Sequence, residues 1–121
     1  MTSSNLLIIS TVGQENPEKA VLPFVLATAS QSLNVPVVMF LQSSAVMLAK
    51  KGEAEKVRAE GFLPLDKLLE TFIDLGGKLY LCSPCIRERQ ITSEDLVDGV
   101  QIGAAGTLVD EVMNAKSVVT Y

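Results

Sequence analysis

Short apolar runs alternate with longer segments of helical character along this chain, and this alternation restricts its fold more than any other feature. Strong runs lie at Asn5–Val12, Pro36–Leu41 and Lys78–Leu81, and weaker ones at Gly99–Ile102 and Ser117–Tyr121. Continuous apolar runs of this length are typical of strands buried on both faces, which are parallel strands. Parallel strands need crossovers, and right-handed crossovers place helices on both faces of the sheet. We therefore predict a three-layer, doubly wound α/β sheet of about five mostly parallel strands.

The first helix is predicted over Pro17–Leu33, because Asn16 supplies an N-cap and proline stands at the first helical position. Its apolar residues cover almost the whole circumference, with a main stripe at Leu22, Val25, Leu26, Ala29 and Leu33 and a second set at Val21, Phe24 and Thr28. A helix that is apolar nearly all round needs cover on two sides. In so short a chain we expect the second cover to come from another subunit.

Two further helices are predicted. Pro64–Leu75 is amphipathic and ends at two glycines, and Thr107–Asn114 follows a turn of small residues. The residues expected to face the core are Leu65, Leu68, Leu69 and Phe72 in the former and Leu108, Val109, Val112 and Met113 in the latter.

Composition excludes several classes of protein. The 121 residues are 48% apolar and 20% charged, which predicts one folded domain over residues 1–121. The net charge of -4 and the absence of tryptophan argue against a nucleic-acid partner. No histidine is present, which excludes Ser-His-Asp and Cys-His catalysis and mixed Cys/His zinc sites within one chain.

The apolar runs Val21–Ala29 and Val35–Leu41 are too short to cross a bilayer, so we expect no membrane association. Met1–Asn5 contains no basic residue, and no signal peptide is expected. Only two cysteines occur, three positions apart, which favours a reducing, cytoplasmic location.

Ligands of open α/β sheets bind at the carboxyl ends of the strands. Three loops are predicted there, at Gly13–Asn16, Gln42–Ser44 and Cys82–Arg89. The first two are expected to line a cleft through Gly13, Gln14, Ser43 and Ser44. The first loop lacks the glycine spacing of a dinucleotide site and the chain has no phosphate-binding P-loop, so we expect neither a cofactor nor a metal.

The third loop contains the only cysteines of the chain, Cys82 and Cys85, directly after a strand. Arg87 and Arg89 follow and are expected to stabilise a thiolate or bind a partner, and a helical turn opened at Pro84 would point its amide dipoles at Cys82. A thiolate is the attacking species in sulfur and disulfide exchange. We therefore predict Cys82 and Cys85 as the reactive residues.

The Cys-x-x-Cys spacing has several interpretations. In a persulfide carrier Cys82 would accept the sulfur, and Cys85 would release it through a disulfide or take no part. A thioredoxin-type dithiol is less favoured, because that motif usually follows the first strand of its unit. A structural zinc ion needs four ligands, so it would require cysteines from two subunits. An inert or redox-sensing pair in an assembly subunit is also consistent with the sequence.

Four segments together resemble the DsrE/DsrF-like family, in particular its YchN-type members: Phe40–Val46, Leu81–Ile91, Leu96–Gly103 and Ser117–Tyr121. The resemblance runs along essentially the whole chain. It implies a small α/β domain that forms homotrimers or homohexamers. It also implies a link to sulfur metabolism, because relatives in the DsrEFH and TusBCD complexes relay persulfide sulfur on the cysteine that matches Cys82. Other sulfur-relay proteins would then be the donor or the acceptor.

One departure concerns the loop after the arginines. The family often has glycine directly after the arginine of this loop, whereas this chain has Gln90 after Arg89. Glycine is the residue that most readily adopts left-handed backbone geometry. We therefore expect the shape of this loop to differ. The resemblance favours a sulfur carrier or sulfurtransferase-like protein, with a non-catalytic assembly subunit and a Cys-x-x-Cys oxidoreductase as alternatives.

Overall fold

Five strands pair side by side and all in parallel in the computed structural model, which describes residues 5–121. They are β1 (Leu6–Ser10), β2 (Val37–Leu41), β3 (Lys78–Cys82), β4 (Val100–Gly103) and β5 (Ser117–Thr120). Their order across the sheet is β4-β3-β2-β1-β5. The predicted α/β fold with a parallel sheet is therefore confirmed. The expectation about a signal peptide concerns mainly residues 1–4, which lie outside the described part.

Helices cover both faces of this sheet. They are α1 (Pro17–Ser32), α2 (Leu65–Asp74), α3 (Ser83–Glu88) and α4 (Ala105–Asn114), with 3-10 segments at Ser43–Ala49, Ala54–Lys56 and Ser93–Asp95. Within residues 5–121, no helix has the length and apolar character that crossing a membrane requires.

The main core lies between the sheet and the helices α1 and α2. Ile8, Met39 and Leu79 stand opposite one another on β1, β2 and β3 and are fully buried. Phe24 of α1 and Phe72 of α2 meet edge to face above them, with ring centroids 6.2 Å apart. Burial of one such aromatic side chain stabilises the fold by about 1.5–3 kcal/mol. This core fixes the central strands whose carboxyl ends present the cysteines.

The core-facing side of α1 differs from the prediction. The main stripe was expected to begin at Leu22, but Ala20, Val21, Phe24 and Ala27 are the residues that are fully buried. Members of the expected stripe are half-buried or exposed: Leu22, Val25, Leu26, Ala29 and Leu33. The predicted second set therefore faces the sheet, because small alanines let α1 approach it closely. The predicted cap is present, since Asn16 Oδ1 accepts the amide of Lys19 at 3.2 Å.

The core face predicted for the last helix is wrong for the single chain. No residue of α4 is buried. Leu108 is half-buried, whereas Val109, Val112 and Met113 are exposed by 58%, 37% and 77%. Leu7, Val38 and Phe40 are buried but lie outside the main core, on the other face of the sheet. The helix therefore leaves most of its apolar side uncovered.

The loop after α3 keeps left-handed geometry without glycine. Gln90 has φ 57° and donates its amide to the Arg87 carbonyl at 3.0 Å. The expectation that glutamine would change this position is therefore wrong. A side chain in left-handed geometry costs about 1–2 kcal/mol relative to glycine.

Gln90→Gly is accordingly expected to raise the free energy of unfolding by about 0.5–1 kcal/mol, since glycine removes the strain but gains freedom in the unfolded chain. Urea titration followed by circular dichroism measures the change. Leu33→Gly is a matched control at the end of α1, because Leu33 has an ordinary φ of -98°. It should not stabilise the protein, and a Gln90→Gly variant that is less stable than wild type would contradict the strain argument.

Candidate functional site

Three loops meet at the carboxyl ends of β1, β2 and β3, which are neighbours in the sheet. The amide of Gly13, after β1, donates to Ser44 Oγ at 3.1 Å. The amide of Ser43, after β2, donates to Cys85 Sγ at 3.3 Å. The structure thus places Gly13, Ser43 and Ser44 in one hydrogen-bonded group with the cysteine loop.

Both cysteines are free thiols at the junction of β3 and α3. Cys82 is the last residue of β3 and the N-cap of α3, and Cys85 lies in the first helical turn. Pro84 stands at the start of this helix, where no amide hydrogen is needed for the helical ladder. The two thiols are half-buried, and Cys85 lies close enough to act on the pKa of Cys82. The end of β3 and the first turn of α3 therefore hold the two cysteines at the carboxyl edge of the sheet.

The ionisation of Cys82 differs from the prediction. Burial is the main cause that raises the pKa of the Cys82 thiol above its ordinary value of 9.0, and the neighbouring Cys85 adds to the increase. The Arg89 guanidinium lowers this pKa, but its effect is the smallest of those acting on the group. The expected low pKa is thus wrong for the single chain, since desolvation of the thiolate outweighs the arginine charge.

Cys85 has a backbone donor that the sequence did not indicate. The donor is Ser43, whose φ of 54° lies in the left-handed region that serine rarely adopts. Ser43 opens the 3-10 segment that follows β2. Strained residues of this kind persist where the surrounding structure holds them, and they are concentrated at functional sites.

Glu15 is a site residue that the sequence analysis missed. Ser44 Oγ donates to Glu15 Oε2 at 2.5 Å, and the Gly13 amide lies 3.2 Å from both carboxylate oxygens. The bond from Ser44 is the main cause that lowers the pKa of the Glu15 carboxyl, and Arg89 lowers it further. No spacing rule marks this residue, because its partner Ser44 is 29 positions away in the chain.

Gly13 is required where β1 approaches the next loop. A Cβ atom at this position would lie 2.5 Å from the Ser44 carbonyl oxygen, a backbone atom that cannot turn aside. Gly13 therefore permits the close approach that brings Glu15 to Ser44.

The remaining predicted residues lie further from the thiols. Arg89 Nη1 donates to the Cys85 carbonyl at 3.2 Å, so its charge stays beside the cysteine turn. Arg87 is exposed and does not contribute to the pKa shift of Cys82. The side-chain amide of Gln14 donates to Glu53 instead of to the group around the cysteines. Of the three, Arg89 alone bonds to the cysteine turn.

A large cleft lies elsewhere. It has a volume of about 450 Å³ and is lined by residues of α2 and of the segments before β4, none of them a cysteine or a loop residue named above. Its lining is acidic, with Glu55, Asp66, Glu70, Asp74 and Asp98 around an apolar floor. In the part of the chain that the structure describes, no three His, Cys, Asp or Glu side chains are grouped so as to hold a metal ion.

Comparison with known proteins identifies a family and several relatives that resemble this chain. The model of the DsrE/DsrF-like family matches residues 4–121. An uncharacterised protein of Methanocaldococcus jannaschii is 32% identical over 105 residues, and the chain spans 38% of the length of that relative. Protein YchN of Escherichia coli K12 is 29% identical over 100 residues, which are 83% of this chain and 82% of YchN.

Solved structures show the same fold. The crystal structure of YchN from Escherichia coli matches with a TM-score of 0.83 at 24% identity, and the match covers 100% of both chains. A protein of unknown function from Methanobacterium thermoautotrophicum matches with a TM-score of 0.68 at 14% identity, covering 97% of this chain and 99% of that one. At these identities the likeness shows the architecture alone.

Proposed function

Because the chain belongs to the DsrE/DsrF-like family, we propose that it is a sulfur carrier that holds persulfide sulfur on Cys82. The observation that carries the proposal is the pair of free, half-buried thiols at the junction of β3 and α3. A strand end holds a reacting atom in place more firmly than a free loop does. Other sulfur-relay proteins are the proposed donor and acceptor.

The chemistry needs two exchange steps. The Cys82 thiolate attacks the outer sulfur of a donor persulfide, which forms the Cys82 persulfide and releases the donor thiolate. An acceptor thiolate then attacks that outer sulfur and leaves Cys82 as a thiolate. Alternatively, the Cys85 thiolate attacks the inner sulfur, a Cys82–Cys85 disulfide forms, and hydrosulfide leaves. In each step one sulfur–sulfur bond forms and another breaks.

The arginines have a supporting role in this proposal. The Arg89 charge favours the Cys82 thiolate, although burial dominates the pKa of that thiol. A partner that carries acidic groups would find Arg87 and Arg89 exposed beside the cysteines. We propose a reducing, cytoplasmic location, because a carrier of this type depends on free thiols.

A redox-sensing or inert cysteine pair in an assembly subunit is the second candidate. It is favoured by the raised pKa of Cys82, since a protonated thiol is a poor nucleophile. A Cys-x-x-Cys oxidoreductase uses the same pair, and two free thiols at the start of α3 are consistent with it. Turnover of insulin reduction by dithiothreitol identifies the oxidoreductase, and its absence removes that alternative.

The test of the carrier is sulfur uptake by the wild-type protein. After incubation with a persulfide donor and removal of the excess, intact-mass spectrometry should show the gain of one sulfur atom. The rate of uptake should increase with pH beyond the ordinary thiol pKa of 9.0, because the raised pKa of Cys82 keeps the thiol protonated below it. Protein alkylated beforehand is the control. No gain of sulfur by the wild type would contradict the carrier function.

We also propose a homo-oligomer, a trimer or a hexamer, in which a second copy covers the apolar side of α4. The exposed residues Val109, Val112 and Met113 support this assembly, because soluble proteins rarely leave such a contiguous apolar patch uncovered. The half-buried outer side of α1 adds a smaller apolar area.

A further inference from the structure

The hydrogen bond on Cys85 depends on a backbone that serine does not adopt readily. Ser43 has φ 54°, and its amide donates to Cys85 Sγ at 3.3 Å. A donor of this kind stabilises a thiolate more than a thiol, because hydrogen bonds to charged acceptors are stronger. Whatever holds Ser43 in this geometry therefore influences the ionisation of Cys85.

The next residue, Ser44, is held from three directions by the loop after β1. Its hydroxyl donates to Glu15 at 2.5 Å and accepts the Gly13 amide at 3.1 Å. Its carbonyl lies so close to Gly13 that a Cβ atom there would be 2.5 Å away. Ser44 cannot shift without breaking these contacts, and Ser43 is linked directly to it. The Glu15 carboxylate is the charged member of this group.

We propose that Glu15 is a positioning residue for Cys85: through Ser44 it fixes the strained backbone of Ser43, whose amide donates to the Cys85 sulfur. This proposal rests on the proposed carrier function. In that function, the positioned Cys85 thiolate attacks the Cys82 persulfide and releases hydrosulfide. Glu15 acts through Ser44 and Ser43 and does not itself contact either thiol.

The charged groups around Cys85 are few and come from identifiable elements. Arg87, Glu88 and Arg89 lie on or directly after α3 itself, and Cys82 lies at the end of β3. The 3-10 segment packed against α3, Ser43–Ala49, has no ionisable side chain. Glu15 lies within the electrostatic reach of Arg89, so removal of its charge leaves the Arg89 charge less opposed and favours a thiolate. Loss of the hydrogen bonds that Glu15 accepts disfavours the Cys85 thiolate. A test must therefore separate the effect of the Glu15 charge from the effect of its hydrogen bonds.

Variants in a Cys82→Ser background separate them, because Cys85 is then the only thiol. The pH profile of iodoacetamide alkylation, followed by intact mass, reports how readily Cys85 forms its thiolate. Ser44→Ala keeps the Glu15 charge and removes its partner, and we expect alkylation of Cys85 at neutral pH to slow about threefold. Glu15→Gln keeps the acceptor oxygen, so Cys85 should be alkylated at least as fast as in the Cys82→Ser parent.

Glu15→Ala removes both the charge and the acceptor, and Cys85 should be alkylated more slowly in it than in Glu15→Gln. Glu18→Ala is the control, since Glu18 is an exposed carboxylate in the first turn of α1. Thermal melts identify folded variants, and Ser44→Ala decides alone if Glu15→Ala does not fold. An unchanged rate of Cys85 alkylation in folded Ser44→Ala overturns the proposal. This readout is thiol ionisation, so it is independent of whether the protein accepts sulfur.

Discussion

Cys82→Ser is expected to abolish sulfur uptake, whereas Cys85→Ser should still gain one sulfur atom. A serine hydroxyl cannot form the persulfide, and Cys82 is the residue held at the end of the buried strand β3. The Cys85→Ser persulfide should also persist longer than that of the wild type, because the neighbouring thiol that expels hydrosulfide is missing. Intact-mass spectra after removal of the donor, repeated over time, measure both effects, and a sulfide-sensitive dye follows the release.

The two substitutions are closely matched. Each replaces a half-buried thiol by a hydroxyl of similar size, so the stability of the two variants should differ little. Uptake that is lost in Cys85→Ser and retained in Cys82→Ser would assign the carrier role to the other cysteine. Equal uptake by both variants would show that neither position is specific, and it would favour the assembly subunit over the carrier.

Val112→Glu is expected to convert the oligomer into monomers. Val112 lies on α4 between the exposed Val109 and Met113 and is itself 37% exposed in the single chain. A carboxylate can therefore point into water in the monomer, whereas an interface over α4 would have to bury it without a partner. Moving a charge from water into an interface without a partner costs several kcal/mol, and each 1.4 kcal/mol weakens association about tenfold. Size-exclusion chromatography with light scattering gives the mass directly.

Lys67→Glu is the control for a change of charge on a helix, since Lys67 lies on the exposed side of α2. It should leave the oligomer intact. A wild-type protein that elutes at its monomer mass of 13.0 kDa at low concentration would contradict the assembly itself. An oligomer that tolerates Val112→Glu would place the interface elsewhere, with the outer side of α1 as the next surface to test.

The centre of the sheet was predictable because β1 and β2 are apolar without alternation. All five residues of β2 are buried, and such a run fits only a central strand covered on both faces. The amphipathic face of α2 was equally clear, since its four predicted core residues are the ones that are buried. These elements bury the same side chains whatever the partners of the chain are.

The faces of α1 and α4 were not predictable from periodicity. An apolar residue such as Val112 has the same pattern whether it meets its own sheet or a second copy of the chain. Nor did the sequence indicate Glu15, whose role depends on a contact with Ser44 across the α1 crossover between β1 and β2. The pKa of Cys82 depends on burial, which no count of neighbouring arginines provides.

The depressed pKa of Glu15 has a practical consequence for trapping reaction intermediates. A carboxyl group whose pKa is lower in the folded protein than in the unfolded chain stabilises the fold fully above the unfolded pKa, and this stabilisation is lost as the pH falls through the folded pKa. At about pH 5 the Cys82 thiol, whose pKa is raised, is protonated and unreactive, yet the Glu15–Ser44 contact is still in place. A mild acid quench can therefore arrest sulfur exchange while the loops around the cysteines keep their native arrangement.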